Sequence, residues 1–136
     1  MKLFYCLAIV LSGLVYAGSS VPAHATSTLE CIGVDDSSVI ARLTLGSLPV
    51  LGVVGAVIET PLEDFSINAT GDQTPIAVGQ GFGDAEGIEV DFTDPNIEQI
   101  IVSFRSVRAE GDKQLVQVAT LSVRQTEVYA LNCAEP

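Results

Sequence analysis

Apolar residues recur at every second position in several stretches of this chain. Val39, Ala41, Leu43 and Leu45 alternate with Ile40, Arg42, Thr44 and Gly46, the period of a strand with one buried face. The alternation is cleaner at Ile88-Glu89-Val90-Asp91-Phe92, where three apolar side chains point one way and two carboxylates the other. Ile100, Val102 and Phe104 repeat it opposite Ser103 and Arg105, with Ile101 out of step. Tyr129, Leu131 and Cys133 share one face near the end, which turns the last cysteine inward.

The run from Leu48 to Ile58 has no polar residue. It is too short to span a bilayer, and its valines and isoleucine favour a strand over a helix. Buried on both faces, it needs Gly52 and Gly55 for a bulge or a close backbone approach. As an exposed edge, Val50, Val53, Val54 and Val57 instead form an interaction surface, for another copy of the chain or for another protein. Pro49 is compatible with an edge.

Turn signals separate the strands: Asp35-Asp36-Ser37, Gly71-Asp72, Gly83-Asp84, Thr93-Asp94-Pro95-Asn96 and Glu110-Gly111-Asp112. Asp94-Pro95 also suits the first turn of a helix. No segment carries a long apolar stripe of helical period. The pattern predicts an all-β domain, a small antiparallel sandwich or barrel of seven to nine short strands.

The first residues belong to a different program. Met1 and Lys2 precede an apolar run from Leu3 to Ala17, and Ala23-His24-Ala25 is an A-x-A exit behind Pro22. These are the parts of a secretory signal peptide of bacterial style. Val15-Tyr16-Ala17 is a poorer exit, because it truncates the apolar core. Cleavage after Ala25 leaves 26–136 as a single domain, without stable membrane insertion, in the periplasm or outside the cell. It also removes the only histidine and the only methionine of a chain that has no tryptophan. A domain without imidazole has no Ser-His-Asp or Cys-His catalysis and no histidine-ligated zinc.

Two cysteines remain, Cys31 and Cys133, near the two ends of the domain. In an exported chain an even pair reads as a disulfide, here joining the first and last strands. Closing a loop of roughly 100 residues is worth up to about 4.7 kcal/mol in the loop-entropy account. No C-x-x-C is present to support exchange chemistry.

The formal charge is −11, and loss of Lys2 makes the domain one unit more negative. Such a surface repels nucleic acid and anionic lipid and favours solubility, cations or basic partners. Asp84, Glu86, Glu89, Asp91, Asp94 and Glu98 crowd one segment, 84–98. Calcium takes six to eight oxygens from such residues, so Asp84, Glu86, Asp91 and Asp94 are candidate cation ligands. The spacing is not that of an EF-hand, and Glu89 and Asp91 also serve as the wet face of a strand. Gly79-Gln80-Gly81-Phe82-Gly83 lacks the lysine of a phosphate loop and reads as a flexible or tightly turning loop.

Little catalytic chemistry is left. A carboxylate pair can cleave glycosides, but sugar clefts usually supply stacking surfaces, and the domain has no tryptophan and one tyrosine, Tyr129. Asp36-Ser37-Ser38 lacks the glycine of an aspartic dyad, and Lys113 sits in an exposed turn that does nothing to lower its pKa. Asn68-Ala69-Thr70 matches a glycosylation sequon that is common by chance. The expected function is therefore binding or envelope structure without catalysis or a resident cofactor, with a protein partner or a second copy. Calcium binding by the 84–98 segment is the alternative. A further alternative comes from layout: cysteines near both ends of an exported domain of this size are similar to the small periplasmic inhibitors of C-type lysozyme. That similarity implies an eight-stranded barrel and a basic enzyme as target. Their Ser-Gly-x-x-Tyr loop has no counterpart here.

Overall fold

The computed structural model describes residues 26–46 and 51–134. The expected leader, with its Ala23-His24-Ala25 exit, and Val50 lie outside the described residues. Ten strands form: β1 Thr26–Gly33, β2 Ile40–Gly46, β3 Gly52–Glu59, β4 Asp64–Ser66, β5 Thr74–Pro75, β6 Ala77–Gly83, β7 Gly87–Thr93, β8 Ile100–Glu110, β9 Leu115–Val123 and β10 Glu127–Ala134. Two of them, β4 and β5, are three and two residues long, too short to carry a legible period; they take the count past nine.

All ten belong to one sheet in the order β5-β4-β3-β2-β1-β10-β9-β8-β7-β6. Every pairing is antiparallel except β4 with β5. The sheet curls into a nearly closed barrel, because its two outermost strands are joined by Ile76 alone. Ile76 N donates to Ser66 O. At the other end of β6, the Leu51 side chain lies against Gly81 and Gly83.

The inner face is filled. Phe65, Phe92, Phe104, Leu43, Ile58 and Leu121 are wholly buried there, and the predicted inward sets of β2, β7 and β8 supply half of them. Burying each such side chain stabilises the fold by about 1.5–3 kcal/mol. Val34 N donates to Ala130 O, so by alternation Cys31 and Cys133, which face each other in register, occupy a non-hydrogen-bonded pair. That is where opposed side chains approach most closely, and the cysteines are joined there with Cα atoms 3.9 Å apart. First and last strands are thus stapled as expected.

Two expectations change. Ile100 does not share the face of Val102 and Phe104. A bulge lets Phe92 pair with Val102 and Thr93 with Ile100, so the intervening Ile101 turns inward and Ile100 is exposed. Asp94-Pro95 starts no helix. The Asp94 carboxylate accepts the N–H groups of Asn96, Glu98 and Gln99, and Ile97 at φ 62° leaves the helical region at once.

Candidate functional site

The segment read as a loop at Gly79–Gly83 is most of strand β6, and its geometry decides which side chains face solvent. Val78 pairs with inward Phe92, and Gln80 pairs with outward Asp91, leaving Gly79 as an extra residue. A bulge of this kind re-aims every side chain beyond it. Without it Gln80 and Phe82 would point inward. With it they point out, and Gly81 and Gly83 occupy the inward positions beside Leu51. Phe82 is consequently 62% exposed, forgoing the roughly 2–3 kcal/mol that full burial of its ring contributes.

Register then builds a small grid on the outer face. Phe82, Glu89 and Arg105 lie in one row across β6, β7 and β8. Gln80, Asp91 and Ser103 lie in the next. Asp91 is only 3% exposed although it faces away from the core. Its Oδ2 accepts Gln80 Nε2 at 2.6 Å and its Oδ1 accepts Arg105 Nη2 at 2.7 Å. Burial pushes this carboxyl up, but the bonds from Gln80, Ser103 and Arg105 together outweigh it and hold it below the usual aspartate range. Arg105 is held in turn, with Nη1 donating to the Val90 and Phe104 carbonyls and Nε 3.6 Å from Glu89.

Between Gln80, Phe82, Glu89, Asp91 and Arg105 lies a hollow of about 190 Å³. On the other side of Phe82 a second hollow, of about 200 Å³, is bordered by Asp84, Glu86, Glu89 and Val107. An aromatic ring standing between two hollows rimmed with polar groups offers both a stacking surface and directional hydrogen bonds.

The four predicted cation ligands are not brought together. Asp84 sits in the β6–β7 turn, where its Oδ1 accepts the N–H groups of Glu86 and Gly87. The Glu86 carbonyl accepts Arg108 N, while its side chain borders the second hollow. Asp94 lies beyond the far end of β7, a strand of seven residues spanning roughly 20 Å. The N–H groups of Gln99, Glu98 and Asn96 hold its carboxyl below the usual range. Among the described residues no group of three or more acids or cysteines is arranged to hold a metal ion. Along the expected interaction edge, Val53 packs against the core, Val54 is exposed at a bulge between β2 and β3, and Val57 pairs with both Arg42 and Ser66. Strand β3 has β2 on one side and β4 on the other.

Gln80 and Phe82 were missed, and Arg105 was legible only as an outward-facing residue. The signal was present, since Gly-Gln-Gly-Phe-Gly alternates with the period of a strand. With glycine on the inward side that period carries no hydrophobic mark. Comparison with family models, with curated proteins and with solved structures finds no match to this chain.

Proposed function

We propose that the protein is an exported, disulfide-closed binding domain that works without catalysis, and that the outer face of β6–β8 is its contact surface. The observation that carries this reading is Phe82, turned into solvent by the Gly79 bulge beside a bonded set of polar side chains. Its partner is a macromolecule of the cell envelope. The Cys31–Cys133 bridge suits an oxidising compartment. Asp91 is a poor general acid, because it is held ionised and both its oxygens are already bonded.

A second reading, inhibition of a basic enzyme, is favoured by the second hollow, where Asp84, Glu86 and Glu89 surround Phe82 and Val107. Such a surface complements a cationic one.

Crosslinked capture from an envelope extract tests the first reading. The baits are the intact protein, the heat-unfolded protein and Phe82→Ala. Capture that depends on folding and is lost with Phe82 supports the surface. Equal capture by all three baits, or by none, removes it.

A further inference from the structure

We infer that the hollow between Phe82, Gln80, Glu89 and Arg105 binds one pyranose ring of an uncharged oligosaccharide. This rests on the reading that the β6–β8 outer face is a contact surface, and it names what that surface recognises.

A pyranose presents two kinds of chemistry at once. Its C–H bonds form an apolar face with slight positive charge, which an aromatic face attracts through its quadrupole. Its rim carries hydroxyls that each donate and accept. The hollow matches both demands. Phe82 supplies an exposed ring, while Glu89 and the Gln80 carbonyl accept and Arg105 donates. At about 190 Å³ the hollow is below the 300–1,000 Å³ typical of drug-sized pockets and suits a single ring of a longer chain.

The polar side chains are fixed before any ligand arrives. Asp91 ties Gln80 to Arg105 from beneath, and Arg105 is further bonded to two backbone carbonyls. Groups locked in this way lose little rotamer freedom on binding. The β-ladder of β6, β7 and β8 already joins these strands, so the ion pair above it is not needed to hold them. Its effect is to immobilise the rim of the hollow, as a supporting layer does in a preorganised site.

Charge decides among ligands. Glu89, Asp91 and Arg105 sum to a single negative charge, on a chain of net −11, which disfavours anionic sugars and phosphates. The lining is too polar for a lipid chain. An uncharged polyol ring with one apolar face remains.

The test is a nitrogen-15 NMR titration of the purified protein with chitotetraose, cellotetraose and maltotetraose, each to about 10 mM to reach weak affinities. Tetralysine is the competing probe. The inference expects at least one tetrasaccharide to shift the amides of 80–83, 89–91 and 105, with an affinity unchanged in high salt. Phe82→Ala should weaken that binding by roughly tenfold or more, about the worth of an aromatic contact, with the remaining spectrum preserved. Phe82→Tyr should retain it, as should Val128→Thr, elsewhere on the outer face. If no tetrasaccharide shifts these amides but tetralysine does, the sugar site is overturned and the contact surface stands. If neither does, both are overturned. Shifts confined to other strands overturn the site as well.

Discussion

Arg124 and Glu63 lie 61 residues apart, and their side chains meet across one end of the barrel, Nη2 to Oε1 at 3.0 Å and Nε to Oε2 at 3.2 Å. Arg124 is in the tight β9–β10 turn, with its guanidinium 6.0 Å from the Phe65 ring. Glu63 precedes β4 and also accepts the Thr74 hydroxyl. The contact ties the hairpin β9–β10 to the short strands at the far side of the sheet.

Arg124→Met should lower stability at neutral pH by about 1 kcal/mol, a modest figure because both side chains are partly exposed. The Thr74 hydroxyl, opposed by burial and then aided by Arg124, holds the Glu63 carboxyl below its ordinary value of 4.5. A depressed carboxyl stabilises above its unfolded pKa and loses that contribution as pH falls through the folded one. The difference between wild type and variant should therefore shrink progressively as pH falls below 4.5. Urea unfolding at pH 7 and pH 3 measures it. An equal loss at both would assign the effect to the stack on Phe65.

Gly83 faces inward because the Gly79 bulge puts it there, and a Cβ on it would come within 3.2 Å of Leu51 Cδ1 and 3.3 Å of Leu51 Cβ. Gly83→Val should cost about 2 kcal/mol through overpacking. Leu51→Ala opens the same space, so the double variant should be more stable than the sum of the two losses by at least about 0.5 kcal/mol. Additive losses in a double-mutant cycle would show that Leu51 does not seal this seam.

The inward positions of β2, β7 and β10 were legible because Val39, Ala41, Leu43, Val90, Phe92 and Leu131 all carry apolar side chains at period two. The disulfide was legible from the even pair of cysteines near the two ends of an exported domain, and the alternation added only that Cys133 falls on the inward face of its strand. Bulges were not, because one extra residue moves every later side chain to the other face. Ile101 announced its bulge only as a blur, and Gly79 gave no sign at all. The candidate site lies just beyond Gly79, so Glu89, Asp91 and Arg105 were legible as outward-facing residues while their neighbours Gln80 and Phe82 were not. Only register places those five together.

Ile97 stands at φ 62° with its side chain 65% exposed, so a β-branched residue occupies the left-handed region without burying its surface. Ile97→Asn keeps the backbone bond from this N–H to Asp94 O and tolerates that conformation better. Stability should rise by about 1 kcal/mol, seen as a higher midpoint in thermal or urea unfolding. An unchanged or lower midpoint would mean that Ile97 makes contacts that offset its strain.

Reducing the Cys31–Cys133 bridge frees a loop spanning 102 positions, and its loss should lower stability by about 2–4 kcal/mol. Both cysteines lie in paired strands, so the reduced protein should keep its β circular dichroism at low temperature while its unfolding midpoint falls. Equal midpoints with and without reductant would show that the ladder between β1 and β10 holds the termini unaided.

Asp91→Asn separates the stabilising role of the outer ion pair from its positioning role. The carboxylate is almost wholly covered, so its replacement leaves Arg105 with a neutral acceptor in place of its closest counter-charge, at a cost of about 2 kcal/mol at neutral pH. Burial raises the Asp91 pKa, but Gln80, Ser103 and Arg105 together bring it below the ordinary 3.8. Its contribution is therefore present above that value and disappears as pH falls further. Relief of repulsion among the other acids occurs in both proteins and cancels in the comparison. The second readout is the Arg105 Nε–H resonance, which should be slow to exchange in the wild type and fast in Asp91→Asn. A stability loss with unchanged Arg105 exchange would make Asp91 a purely structural group. Faster exchange would show that the carboxylate holds the guanidinium still at the rim of the Phe82 hollow.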